Sequence, residues 1–286
     1  MIKLILYFTR LALTLPEKTA MNLEQLTKDV IVIAKKAGSY LNNQKQDFHP
    51  EEVIEKNKFD FVSYVDKNTE ILLIKQLSEL LPSAGFITEE GQGDYNEEDY
   101  CWIIDPLDGT TNYIHDFAPY CVSIALRKGN TILVGVVYEV CRDECFYAWK
   151  GGGAYLNDKH LSTSENTEIE KSFIGIGLPY NYKKYRSVAD NIIPRFYGSC
   201  AGIRITGSAA ANMCYVAAGR YDFWFEAYIK IWDFAAGALI LTEASGIVSG
   251  FDNNPDFMAS HHIIASSNQI LHNKVLDILS PYLHCL

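Results

Sequence analysis

Leu23, Leu26, Val30, Ile33 and Ala34 recur every three or four positions through MNLEQLTKDVIVIAKKAGSYL, which starts at Met21, and this spacing predicts an amphipathic first helix. The same period runs through KNTEILLIKQLSEL, residues 67–80, and predicts a second helix that stops at Pro82. Short apolar runs follow: GFIT, CWIID, YCVSIAL, TILVGVVYEV and CFYAWK predict strands. In the second half SFIGIG and YDFWF predict further strands, while SAAANMCYVAAG (208–219) and WDFAAGALILTEASG (232–246) predict helices that stop near Gly219 and Gly246. Helices and strands interleave, yet the consecutive strands between 118 and 149 predict antiparallel hairpins. The pattern is therefore a layered α/β (α+β) architecture and not a plain doubly wound sheet.

Residues 1–20 fall outside that pattern. MIKLILYFTRLALTLPEKTA carries a lysine and an apolar run in the manner of a signal peptide, but Arg10 splits the run and the segment is too short to span a bilayer. The expectation is an N-terminal extension outside the fold over 1–20 and a single domain over 21–286. No repeat, low-complexity tract or linker interrupts the rest.

Composition narrows the function classes. The chain has 286 residues, 48% of them hydrophobic, enough for a sizeable core. A formal net charge of −10 and the lack of a basic patch argue against nucleic acid or an anionic membrane as partner, since phosphate backbones reward clustered Lys and Arg. The seven cysteines (Cys101, Cys121, Cys141, Cys145, Cys200, Cys214 and Cys285) are odd in number and lie mostly in apolar stretches. They contain no CxxC pair; Cys141 and Cys145 make only a Cx3C. A reducing, cytoplasmic location is expected.

Candidate chemistry centres on WIIDPLDGTTNY, Trp102 to Tyr113, where Asp105 and Asp108 stand three residues apart. Pro106 is expected to end the strand, which would place both acids on a strand-end loop. Two carboxylates this close repel unless they share a proton or a cation. Oxygen donors without a nearby His or Cys favour magnesium or manganese over zinc. An ordinary reading stands beside this one: Asp105 caps a turn, and Asp108 forms an Asp-Gly turn with Gly109. Glu89 and Glu90 in FITEEG and Asp233 in IWDF also follow or open apolar segments. An exposed acidic pair and a helix N-terminus favoured by the dipole explain them equally well at this point. Glu226, seven residues before Asp233, reads alone as a surface glutamate.

Taken together and in order, FITEEG, DPLDGTTNY, GSAAANMC and WDFAAGALILTEASG resemble the inositol monophosphatase family of magnesium-dependent, lithium-sensitive phosphatases, over roughly residues 22 to 284. The resemblance implies an αβαβα sugar-phosphatase fold, a homodimer, and two or three Mg2+ ions per site with Mn2+ as a substitute. It implies hydrolysis of a small phosphate monoester, myo-inositol 1-phosphate to myo-inositol and phosphate, by in-line attack of a metal-activated water. Carried over residue by residue, it makes Glu89, Asp105, the carbonyl of Leu107, Asp108 and Asp233 metal ligands. It makes Thr110, Asp66 and Glu89 the group that orients and deprotonates the water, with Asp66 in contact with Thr110. Asp60 in DFVSYVD would lie near the metal site. Leu107, Asp108, Gly109, Thr110, Ser208, Ala209, Glu226 and Asp233 would line the substrate pocket, and Glu226 would receive polyol hydroxyls, a task for which a carboxylate with two acceptor oxygens is suited. Gly109 permits close backbone approach, and the N–H groups of Gly109 and Thr110 would meet phosphate oxygens if a helix starts there.

Within the same fold a histidinol-phosphate phosphatase, a fructose-1,6-bisphosphatase and a 3'(2'),5'-bisphosphate nucleotidase are alternatives, as is a non-catalytic binding homologue. The chain departs from the family pattern in four places. Tyr113 stands for the usual Phe, Glu139 for a common proline and Ser245 for the first glycine of an Glu-Ala-Gly-Gly ending; Lys56 and Lys58 replace a lysine at a different offset.

Overall fold

The computed structural model describes residues 21–46, 54–57, 60–91, 99–178, 182–254 and 256–285. The expected extension over 1–20 lies outside the described residues, as do the side chains of Lys56, Lys58 and Asp60. A short ribbon pairs β1 (Ile54–Asn57) with β2 (Asp60–Val62). The larger sheet runs β3 (Gly85–Thr88), β4 (Tyr100–Asp108), β5 (Cys121–Lys128), β6 (Thr131–Glu139), β7 (Glu144–Trp149), β8 (Ala154–Leu156) and β9 (Lys159–His160). Only β3 and β4 are parallel; from β4 onward every neighbour is antiparallel, as the hairpin pattern requires. The second sheet has the spatial order β11 (Gly202–Arg204), β10 (Phe173–Ile176), β12 (Phe223–Ala227), β14 (His262–Ser266) and β13 (Ile247–Gly250).

Alternation along the strands sorts these elements into five layers. Trp102, Ile104, Val122, Ile124, Val134 and Val136 face outward against α1 (Leu23–Gln46) and α2 (Tyr64–Leu80), with Leu26, Val30, Ile33 and Ala34 supplying the expected apolar face of α1. Ile103, Ala125, Val137, Phe146 and Ala148 face the other way, onto α5 (Ala209–Ala217) and α6 (Ile231–Glu243). Trp224, Ile263 and Ala265 of the second sheet close on the same two helices from beyond. On that sheet's far side Phe223, Phe225 and Ile264 pack against α4 (Tyr182–Phe196) and α7 (Gln269–Leu279). The order is thus helix, sheet, helix, sheet, helix. Among the described residues no helix is long and apolar enough to cross a membrane.

Local chemistry sets the element ends. α2 begins three residues before the apolar period, because Ser63 caps it: its Oγ accepts from the Val65 N–H at 3.1 Å, and Asp66 accepts from the Ser63 N–H at 2.9 Å. α6 stops at Glu243, and Ser245 beyond it adopts φ +72°, the left-handed region that glycine enters at no cost. The family's glycine at that place has this physical reason. Tyr113 answers for its departure differently: its hydroxyl donates to the buried Leu41 carbonyl of α1 at 2.9 Å. Tyr113→Phe is therefore expected to lower stability by about 0.5–1.5 kcal/mol, the usual net worth of such a bond, with catalysis unaltered; urea denaturation reads it out.

One expectation is corrected. β4 does not end at Pro106. Asp105 pairs with Ser123 and Asp108 with Cys121, so three steps along β4 oppose two along β5. The ladder breaks at Pro106, which has no N–H to donate, and resumes after a bulge. In a regular strand residues three apart point to opposite faces. The bulge turns both acids toward the central helices, since their partners Ser123 and Cys121 share one face.

Candidate functional site

Acids from four separate segments meet where β3 and β4 of the large sheet, β12 of the second sheet and α6 converge. Asp105, 2% exposed, lies one bulge before Asp108. Its Oδ1 accepts the Leu107 N–H at 3.0 Å, so the turn-capping reading holds together with the clustering. Asp108 reaches the N-terminus of α5. Its Oδ2 accepts from Ser208 Oγ at 2.5 Å and the Ala210 N–H at 2.8 Å, and its Oδ1 from the Ala209 N–H at 3.3 Å. Asp233 sits in the first turn of α6 and accepts the Lys230 N–H at 2.6 Å. Its helix-terminus role and its place in the cluster coexist. Glu89 follows β3 directly, with its N–H donated to the Ile104 carbonyl at 3.3 Å. Glu226 comes from β12, two residues beyond Trp224 on the face turned to the central layer, and is not a surface glutamate.

The electrostatics follow from this crowding. Burial, then the charges of Glu89, Asp108 and Asp233, push the Asp105 carboxyl well above the ordinary range. Burial pushes Asp108 up to about 6, against the opposing hydrogen bonds from Ser208 and from the Ala210 and Ala209 amides. Burial and Asp108 push Glu226 up to about 8, and burial, Asp108, Glu89 and Glu226 raise Asp233. Glu226 and Asp233 nevertheless keep part of their surface open, as the walls of a cleft do. No cation stands among the groups responsible. Carboxylates crowded in this way are the kind of oxygen donors that hard divalent cations take. Among the described residues no three or more His, Cys, Asp or Glu side chains stand close enough together to form a ready-made metal site.

Beside the acids lies a hydroxyl. Thr110 Oγ1 is 3.0 Å from Asp66 Oδ1 and 3.1 Å from the Leu107 carbonyl. Having one proton, it donates to one of them at a time. Ser63 fixes the other carboxylate oxygen of Asp66 through its N–H at 2.9 Å and its Oγ at 2.6 Å. A helix does begin here, α3 (Thr110–Ile114), with Gly109 before it at φ +95°. A Cβ at Gly109 would stand 3.0 Å from the Pro119 carbonyl oxygen, so both conformation and space require glycine. Asn112 ties this loop to the Ser208 segment, donating to the Pro119 and Thr206 carbonyls, each at 2.7 Å.

Residues 22–284 match the inositol monophosphatase family. The chain belongs to that family. A Nus factor SuhB of Escherichia coli (strain K12) is 38% identical over 239 residues, 83% of this chain and 90% of its own. An inositol-1-monophosphatase of Mesorhizobium japonicum is 34% identical over 248 residues, covering 86% of this chain and 94% of its own. The crystal structure of the extragenic suppressor protein suhB from Bartonella henselae superposes with TM-score 0.84 at 33% identity, covering 89% of this chain and 98% of that one. The layered fold of the inositol monophosphatases is therefore the fold of this chain.

Sequence reasoning missed two residues of the site. A Cβ at Gly177 would stand 1.8 Å from Glu226 Oε2, so the missing side chain makes the room that Glu226 occupies. Glu70 on α2 is fully buried and accepts the Glu90 N–H at 2.8 Å. A signal for Glu70 was present: it stands four residues after Asp66, in the stripe that continues to Leu73 and Leu77.

Proposed function

We propose that this family member is a magnesium-dependent phosphatase that hydrolyses inositol monophosphates, releasing myo-inositol and phosphate. The observation that carries this reading is the convergence of Glu89, Asp105, Asp108 and Asp233 beside the Thr110–Asp66 pair, with Glu226 reaching the same cleft from the second sheet. In this reading the Leu107 carbonyl and the four carboxylates hold the cations, for which Mn2+ can substitute. Bound there, the cations neutralise a phosphate dianion and lower the pKa of the attacking water.

The chain's own groups do the rest. With its proton given to Asp66, the Thr110 hydroxyl presents lone pairs to a water and fixes its orientation. Glu89 faces that water as the proton acceptor. Gly109 leaves the start of α3 open to phosphate oxygens, and no side chain caps that end. Ser208 and Ala209 line the pocket, and Ser208 acts there through Asp108, to which its hydroxyl is already donated. Glu226 accepts the hydroxyls of the ring. No covalent phospho-enzyme is part of this reading, in which water attacks the phosphorus directly.

Phosphate release from inositol phosphates, histidinol phosphate, fructose 1,6-bisphosphate and 3'-phosphonucleotides, each with magnesium and with EDTA, tests this. Preference for one of the other esters would pass the assignment to that branch. Glu226→Gln is expected to lower kcat/KM for myo-inositol 1-phosphate by roughly tenfold to a hundredfold, as loss of about 1.5–3 kcal/mol of charged hydrogen bonding implies, and to spare an aryl phosphate. Gly177→Ala should reproduce that selective loss, since the three atoms its methyl group would meet first all belong to the Glu226 side chain. Equal losses on both substrates would move Glu226 into the scaffold. The relatives named Nus factor SuhB favour a second reading, a binding role that does not need turnover. A variant without phosphatase activity that keeps the biological role would separate the two.

A further inference from the structure

Asp66 and Glu70 are four residues apart on α2, on one buried face, and each reaches a different arm of the site. Asp66 holds the Thr110 hydroxyl at 3.0 Å. Glu70 holds the backbone N–H of Glu90 at 2.8 Å, across 20 residues of chain. The neighbouring N–H, that of Glu89, is held from the opposite side by the Ile104 carbonyl of β4 at 3.3 Å. The Glu89–Glu90 segment is thus fixed between a helix and a strand just where β3 ends, and a carboxylate that must face a water needs that precision. Glu70 makes this bond from inside the core. It is 0% exposed in a stripe whose next members are Leu73 and Leu77, a place where an apolar side chain is the common choice.

We propose that Glu70 is a positioning residue for Glu89, and that the i, i+4 spacing of Asp66 and Glu70 sets the distance between the Thr110 and Glu89 arms that orient the attacking water. This rests on the reading of Glu89 as proton acceptor. Two variants separate bond from packing. Glu70→Gln keeps an acceptor oxygen for the Glu90 N–H, whereas Glu70→Met keeps length and helix propensity and offers no comparable acceptor. Glu90→Pro removes the same bond from its donor end without entering the core.

The expected result for the full chain with magnesium is a kcat within about threefold of wild type for Glu70→Gln, and a fall of roughly tenfold or more for Glu70→Met and Glu90→Pro at nearly unchanged KM. Amide hydrogen exchange over residues 85–91 should quicken in the same two variants. In a Glu89→Gln background Glu70→Met should cost little further, because the side chain it positions is already lost. Full additivity of the two losses would overturn the proposal. So would an unchanged kcat in Glu90→Pro, which decides the matter if Glu70→Met does not fold, or a Glu70→Gln as impaired as Glu70→Met. Wild-type turnover in Glu89→Gln alone would instead refute the reading beneath it.

Discussion

Asp108→Asn is expected to abolish phosphatase turnover, by on the order of a hundredfold or more, the scale on which a group that stabilises transition-state charge is lost. The fold should survive it. Asparagine keeps an acceptor for the Ser208 hydroxyl and the Ala210 amide and gives up only the longer bond from the Ala209 amide, so most of the support at the start of α5 persists while the charge is gone. Asp108→Ala removes both and should cost an additional ~1–2 kcal/mol, visible in urea denaturation. Steady-state turnover and denaturation on the same two preparations check the pair of outcomes. An active Asp108→Asn with magnesium present would remove Asp108 from the proposed ligands.

Removing divalent cations should have the second large effect, in activity and in the pH dependence of stability. Asp108 and Glu226 are raised to about 6 and about 8, so between the ordinary carboxylate range and those values the folded chain binds more protons than the unfolded one. Stability of the metal-free protein should accordingly be greatest at low pH in this window and fall as pH rises through about 6 and then about 8. A cation favours the ionised carboxylates. Its stabilisation should therefore grow over the same interval, with protons released on binding. Thermal unfolding at pH 5.5 and pH 8.5, with EDTA and with magnesium, reads this directly. A magnesium increment in Tm equal at both values, or activity that persists in EDTA, would count against the cation site.

The sequence made different parts of this legible for different reasons. α1 carries a strong 3.6-residue period and α2 a weaker one, and the strands from β4 to β7 alternate or run apolar, so their type could be read. β8, β9 and β11 have only two or three residues and no period to detect. α4 holds Pro194 in its interior, a signal against helix that tertiary packing overrides. α7 had both an Asn268 cap and the spacing Leu271, Val275, Leu276 and Leu279, and was readable though not predicted. At the site, the acids could be found one at a time. Their convergence could not, because it depends on a bulge at Pro106 that reverses a side chain's face and on a second sheet that brings Glu226 across. Glu70 stayed hidden because a period reading counts buried helical positions as apolar.

The hydrogen bonds that Asp108 accepts at the start of α5 also bear on how members of this fold are recognised. Descendants that abandon phosphate chemistry for another role would remain under pressure to keep a hydrogen-bond acceptor here, aspartate or asparagine, since a central helix begins on it. Such an acceptor marks the architecture, and only the charge of the aspartate speaks for turnover. Glu89 and Thr110, whose side chains cap neither central helix, are the positions freer to drift once catalysis is no longer selected. They are the ones from which a silent relative can be told.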